Sequence, residues 1–145
     1  MLPPNLLSQM QLQETPYFMT LITTTLAIGC LLFFLWMGAI ALRYPGQLLR
    51  SFGLSATTPD ARNEIRAVYG GFGIAVASLL GVGLLWRTNL SDIALTLGVS
   101  MAGMAGGRII SAVVDRQFGK YPRIYLFVEL VLVAALLVVF LYGRS

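Results

Sequence analysis

Two charged residues are hard to reconcile with their surroundings in this chain. Arg108 interrupts Gly103-Met-Ala-Gly-Gly-Arg-Ile-Ile-Ser111 within a stretch from Ile93 to Val114 that holds no other charge, and Glu129 is the only charged residue between Ile124 and Tyr142. An ionised side chain at mid-helix depth in a bilayer costs about 3 kcal/mol on insertion scales. Each residue therefore needs a partner, a route to the headgroups or, for the glutamate, a proton. Arg108 can reach the headgroups along its own stem; Glu129 is too short to do so and must face a partner or be neutral. If the two helices are antiparallel neighbours, Arg108 lies about 9 Å and Glu129 about 7.5 Å inside the same membrane face at the usual helical rise. The spacing predicts an ion pair. Its chemistry would suit a titratable carrier site with a counter-charge, or a polar anchor for a lipid-like head group.

The elements that hold these residues follow from composition. Hydrophobic residues make up 57% of the chain, charged residues 11%, and the mean hydropathy is +0.80, against roughly 25% charged residues in a soluble domain. The apolar residues fall into four blocks, Phe18 to Leu42, Ala67 to Trp86, Ile93 to Val114 and Ile124 to Tyr142, each near the roughly 20 residues that cross a bilayer. Hydrocarbon gives backbone groups no water partner, so spans are helices or closed barrels, and alternating barrel segments are absent. The expected fold is all-α, a polytopic four-helix transmembrane bundle over residues 17–145, preceded by a segment of residues 1–16. The first block is too long for a signal-peptide core and no small-residue cleavage site follows it, so it reads as a retained helix.

Positive charge predicts the orientation. Arg43, Arg50, Arg62 and Arg66 flank the connection between the first two spans, and Arg116, Lys120 and Arg123 lie between the last two, whereas the opposite side carries Arg87 and Arg144. Both termini are expected outside a bacterial inner membrane, with the two basic loops in the cytoplasm. The net charge of +4 then describes topology and attraction to anionic lipid rather than a nucleic-acid surface. Residues 1–16, with Leu2, Leu6, Leu7 and Met10 at helix-like spacing, are read either as a helix on the outer membrane surface or as a loose terminus. Pro45-Gly46 signals a turn, with Gln47 to Phe52 at the interface. Thr58-Pro59-Asp60 reads as an N-cap, a first-turn proline and an acid at the positive end of the helix dipole, which starts helix two before its apolar part.

Around the expected ion pair, Tyr125 lies one turn before Glu129, while Ser111 and Asp115 follow Arg108 on nearby faces. Arg66 and Tyr69 share a face of helix two with Gly70 and Gly73. Arg66, Tyr69, Arg108, Ser111, Asp115, Tyr125 and Glu129 form the expected buried polar cluster. Gly103 and Gly107 make a GxxxG, and Gly73, Ala77 and Gly81 repeat that spacing in helix two, so a tight contact between helices two and three is expected.

Asn63-Glu-Ile-Arg-Ala-Val-Tyr-Gly-Gly71, Gly107-Arg-Ile-Ile-Ser111, Asp115 and Glu129 together resemble the bacterial family of domain of unknown function 4345, from the first helix to the last. The resemblance implies a small four-helix inner-membrane protein without an established activity. It also marks Glu64, Arg66, Tyr69, Arg108 and Glu129 as its polar positions.

Several classes are disfavoured by what the sequence lacks. There is no histidine, hence no histidine ligand for haem, zinc or copper, and neither a metal site nor a catalytic residue is expected. Cys30 is the only cysteine and reads as a small apolar packing residue. No phosphate loop, dinucleotide fingerprint or nucleophile elbow occurs. Three readings stay open. The favoured one is a non-catalytic accessory subunit or assembly factor among other integral membrane proteins. The others are a small proton-coupled transporter using Glu129 with Arg108, and a binder of a lipid or quinone near Tyr69, Arg108 and Tyr125. No cofactor of its own is expected, although a bound lipid, quinone or carotenoid is compatible with each, and the partners are membrane lipids and proteins rather than nucleic acid.

Overall fold

Helices dominate because a helix pairs its backbone polar groups within one segment, as lipid requires. The computed structural model describes residues 17–50, 53, 55, 57–86 and 89–143, together with the helical backbone of residues 4–16. Its elements are α1 (Pro4–Arg43), α2 (Pro45–Arg50), α3 (Pro59–Ile65), a π-helical segment (Arg66–Gly71), α4 (Phe72–Trp86), α5 (Leu90–Val114) and α6 (Lys120–Tyr142). Four helical runs are long and apolar enough to cross a membrane: Tyr17–Arg43, Pro59–Trp86, Leu90–Val114 and Lys120–Tyr142. The protein is a multi-pass membrane protein built as a four-helix bundle. Residues 4–16 are helical and run on into the first span without a break. The α2 turn occupies most of the expected interfacial stretch; residues 51 and 52 of that stretch lie outside the described residues.

Local signals act as the sequence predicts. Thr58 caps helix two, its hydroxyl accepting from the Ala61 amide at 3.2 Å, with Pro59 at the first helical position and Asp60 in the first turn. At the end of α5, the Gln117 amide donates to the Ala112 carbonyl at 3.2 Å and the Arg116 amide to Val113 at 3.3 Å. This is a Schellman closure. Arg116 fills its left-handed position at φ 49°, where glycine is usual.

Each span buries one stripe. Thr23, Ala27, Cys30, Phe34, Gly38 and Ala41 form it on α1; Gly73, Ala77, Leu80 and Gly83 on α4; Ala94, Leu97, Met101 and Ala105 on α5; and Glu129, Leu132, Leu136 and Val139 on α6. The steps of three and four are those of one helix face. α5 and α6 form the most extensive pair of elements, α1 packs on α4 and then on α6, and α4 meets α5 less than any of these. Gly83, next to Leu90 and Ile93, marks that last contact near the connecting turn.

The expected contact between helices two and three through their small residues is therefore not the one formed. Gly73 lies against Gly38 of α1, where an added Cβ would come within 3.0 Å of the Gly38 Cα and 3.1 Å of the Phe34 carbonyl oxygen. Gly81 also faces α1, at Leu31, while Gly103 and Gly107 meet nothing within 4 Å among the described residues. The buried stripe of α5 runs through Ala94, Leu97, Met101 and Ala105, and the GxxxG lies off it.

Candidate functional site

Arg108 and Glu129 meet because each continues the buried stripe of its helix. Arg108 follows Met101 and Ala105 by seven and three residues, and Glu129 precedes Leu132 and Leu136 at the same steps, so the extensive α5–α6 contact turns both side chains toward each other. The Arg108 Nε–H donates to Glu129 Oε1 at 2.8 Å and Oε2 at 2.9 Å. Glu129 is 6% exposed. Such a carboxylate is tolerable only with its charge matched and both oxygens engaged. The Arg108 guanidinium carbon also lies 5.3 Å from the centroid of the Tyr125 ring, a cation–π distance, so the arginine is held from two sides by α6.

The rest of the expected cluster divides. Tyr69 and Tyr125 line the same cavity as Arg108 and Glu129. Arg66 does not join them: it is exposed, and its Nε–H donates 3.0 Å to the Leu42 carbonyl, one of the carbonyls left without a helical partner at the end of α1. Ser111 and Asp115 are exposed as well and satisfy each other across one turn at 3.1 Å. They follow Arg108 by three and seven residues, at the end of α5, where the face is no longer covered. Glu64 is exposed, in keeping with a solvated headgroup-level charge.

Sequence reasoning missed the cavity itself. It encloses about 900 Å³ and is lined by all four spans and α2: Phe33, Phe34, Trp36, Met37 and Ile40 from α1, Gln47 and Leu48 from α2, Ala67 to Tyr69 and Phe72 from helix two, Met101, Met104 and Arg108 from α5, and Tyr125, Val128, Glu129 and Leu132 from α6. The volume is in the range of small-molecule sites, as is an apolar wall with a few convergent polar groups. Trp36, Val68, Phe72 and Met104 are themselves exposed, so the cavity opens sideways, between spans, on the half of the bundle that carries the basic loops. The cleft exists because helix two leans on α1 rather than α5.

The π-helical segment contributes to that lean. The Phe72 amide reaches back five residues to the Ala67 carbonyl, and the segment coincides with the Arg-Ala-Val-Tyr-Gly-Gly end of the helix-two motif. A Cβ on Gly70 would meet Leu42 side-chain atoms at 2.7 and 2.8 Å, and one on Gly38 would meet the Ile74 amide nitrogen at 2.9 Å. Only glycine permits this approach. The adjacent pair Gly70-Gly71 was the available signal for an irregular turn, and π turns occur often at functional sites.

A family described as domain of unknown function (DUF4345) matches residues 22–140. The chain belongs to it. The matched region takes in the two middle spans whole and most of the first and last, so in this DUF4345 protein the ion pair, the π turn and the cleft all lie within the family's own domain. No curated protein and no solved structure matches the chain.

Proposed function

We propose that this DUF4345 protein is a non-catalytic integral membrane protein that binds a lipid-like amphiphile in the cleft between its spans. The observation that carries the reading is the cleft itself: about 900 Å³, walled mainly by Phe, Met, Trp, Val and Leu side chains, with Arg108, Glu129, Tyr69, Tyr125 and Gln47 as its polar lining. Its sideways opening suits a ligand that arrives dissolved in the bilayer. Binding without chemistry is favoured because both oxygens of Glu129 are already engaged by Arg108, which leaves the carboxylate poorly placed to act as a base. A second reading, an accessory subunit of a larger membrane complex, is favoured by α5, where Gly103, Gly106 and Gly107 form an open surface with nothing opposite among the described residues, on which another helix would pack closely. The setting we propose is a bacterial inner membrane, with both termini extracytoplasmic and the cleft in the cytoplasmic leaflet, on the strength of the seven basic residues in the two loops on that side.

Native mass spectrometry of the chain released from its own membranes in mild detergent tests both readings. A bound amphiphile retained by the natural chain and lost when Val128→Phe narrows the cleft supports the binding reading. Equal retention by both proteins, or no adduct on either, overturns it. A partner protein held at fixed stoichiometry supports the accessory reading.

A further inference from the structure

We propose that the occupant of the cleft is an uncharged ring bearing carbonyl acceptors, the chemistry of a quinone, with a carbonyl oxygen on the Arg108 guanidinium and the ring between aromatic and thioether side chains. This inference rests on the cleft being a ligand site, and three observations narrow the ligand.

The first is charge. Arg108 is cationic but not available as a cation, because Glu129 neutralises it through contacts of 2.8 and 2.9 Å to both carboxylate oxygens. A carboxylate or phosphate head would bring an unmatched negative charge beside a glutamate that is 6% exposed, in a medium where like charges are costly. A neutral head avoids that cost.

The second is hydrogen bonding. Guanidinium carries five N–H donors. Arg108 spends its Nε–H on Glu129, and the donors of its two terminal nitrogens have no partner among the described residues. Arg108 is partly exposed, its side chain at 23%, and lines the cleft. A carbonyl oxygen accepts from such a donor, and a bond from a charged donor is stronger than a neutral one.

The third is the wall. Trp36, Phe72, Met37, Met101 and Met104 border the space. Flat rings stack on aromatic faces, and thioethers pack favourably against ring edges. A saturated acyl chain needs none of this and is served by the Leu, Ile and Val that cover the outside of the bundle.

Trp36 supplies the readout. The chain has two tryptophans, and the other, Trp86, lies at the far end of helix two and is exposed. The full-length Trp86→Phe protein in detergent leaves Trp36 as the sole indole and is titrated with decylubiquinone, palmitate and a diacyl phosphatidylglycerol. Saturable quenching of Trp36 by the quinone is expected. Arg108→Gln should weaken it by about tenfold, the loss of a hydrogen bond from a charged donor. Val128→Phe should abolish it while leaving Arg108 and Glu129 paired, which keeps the test decisive if Arg108→Gln fails to fold. Saturable binding of palmitate or phosphatidylglycerol, with the quinone quenching only in proportion to its concentration in the micelle, overturns the quinone class and leaves a lipid-binding cleft. No saturable response to any of the three probes overturns both.

Discussion

The two helix pairs of this bundle are held by opposite means. α1 and helix two come together backbone to backbone, with Gly38 against Gly73 and Gly70 against Leu42, and a guanidinium from Arg66 closes the end of α1. α5 and α6 come together side chain to side chain, through Arg108 and Glu129 at one end and a hydroxyl bond from Ser91 to the Phe140 carbonyl, 2.8 Å, at the other. Lipid tails are as apolar as leucine, so a membrane bundle has little hydrophobic force between its helices and depends on close packing and polar contacts. This protein uses one device in each pair. The glycine pair should therefore be sensitive to volume, and the charged pair to losing one partner more than to losing both.

That contrast can be broken most severely at Glu129. Glu129→Ala leaves Arg108 without its counter-charge and should cost about 3 kcal/mol, read as a lowered midpoint of thermal unfolding in detergent. The double change Arg108→Met with Glu129→Leu should recover most of that loss, because a well-packed apolar pair often replaces a buried ion pair at little cost. A double variant no more stable than Glu129→Ala would show that the pair matters through something other than charge balance.

The next effect belongs to the glycine pair. Gly38→Val forces atoms into space bounded by Ile74 and Gly70 backbone atoms and should destabilise by about 2 kcal/mol, whereas Gly103→Ala and Gly107→Ala, with open space at both Cβ positions, should leave the isolated chain at its natural stability or slightly above. The same denaturation series ranks the three. If Gly103→Ala instead loosened the protein, the close contact would have to be on α5 after all.

The smallest effect is a gain. Arg116 sits at φ 49° in the αL position that closes α5, a conformation that costs a non-glycine residue about 1 kcal/mol. Arg116→Gly should therefore raise the unfolding midpoint of the α5–α6 pair by a corresponding small amount. It also removes one of the loop charges used to orient the chain, so cysteine-accessibility labelling of the loop should be run beside it.

Much of the architecture is legible in the sequence. Hydropathy and the Thr58-Pro59-Asp60 cap locate the four spans to within a few residues, since both depend on local chemistry, although α1 itself begins earlier, at Pro4. The ion pair was legible too, because two charges at matching depth on adjacent antiparallel helices have few other ways to survive in hydrocarbon. Helical spacing groups Arg66, Ser111 and Asp115 with that pair, and for Arg66 the family resemblance does too, but spacing does not say which part of a face meets a neighbour. The glycines were misassigned for the same reason. GxxxG on α5 and the small residues of helix two look equivalent as patterns, yet Gly73 is buried against α1 and Gly103 and Gly107 are open.

By itself the sequence determined a membrane-spanning four-helix protein with an arginine–glutamate pair set within its apolar spans near its basic loops. Those features follow from solvation, because water and lipid discriminate strongly between charged and apolar groups. Only the tertiary structure decided that helix two leans on α1 through a π turn and three glycines, leaving an aromatic and methionine-lined cleft beside Arg108. In a bilayer the outward and inward faces of a helix are almost equally apolar: Leu80 is fully buried and Leu85 is 81% exposed with the same side chain. Which surfaces meet is then settled by shape at a few glycines and by where polar groups find partners, and neither is written in hydropathy.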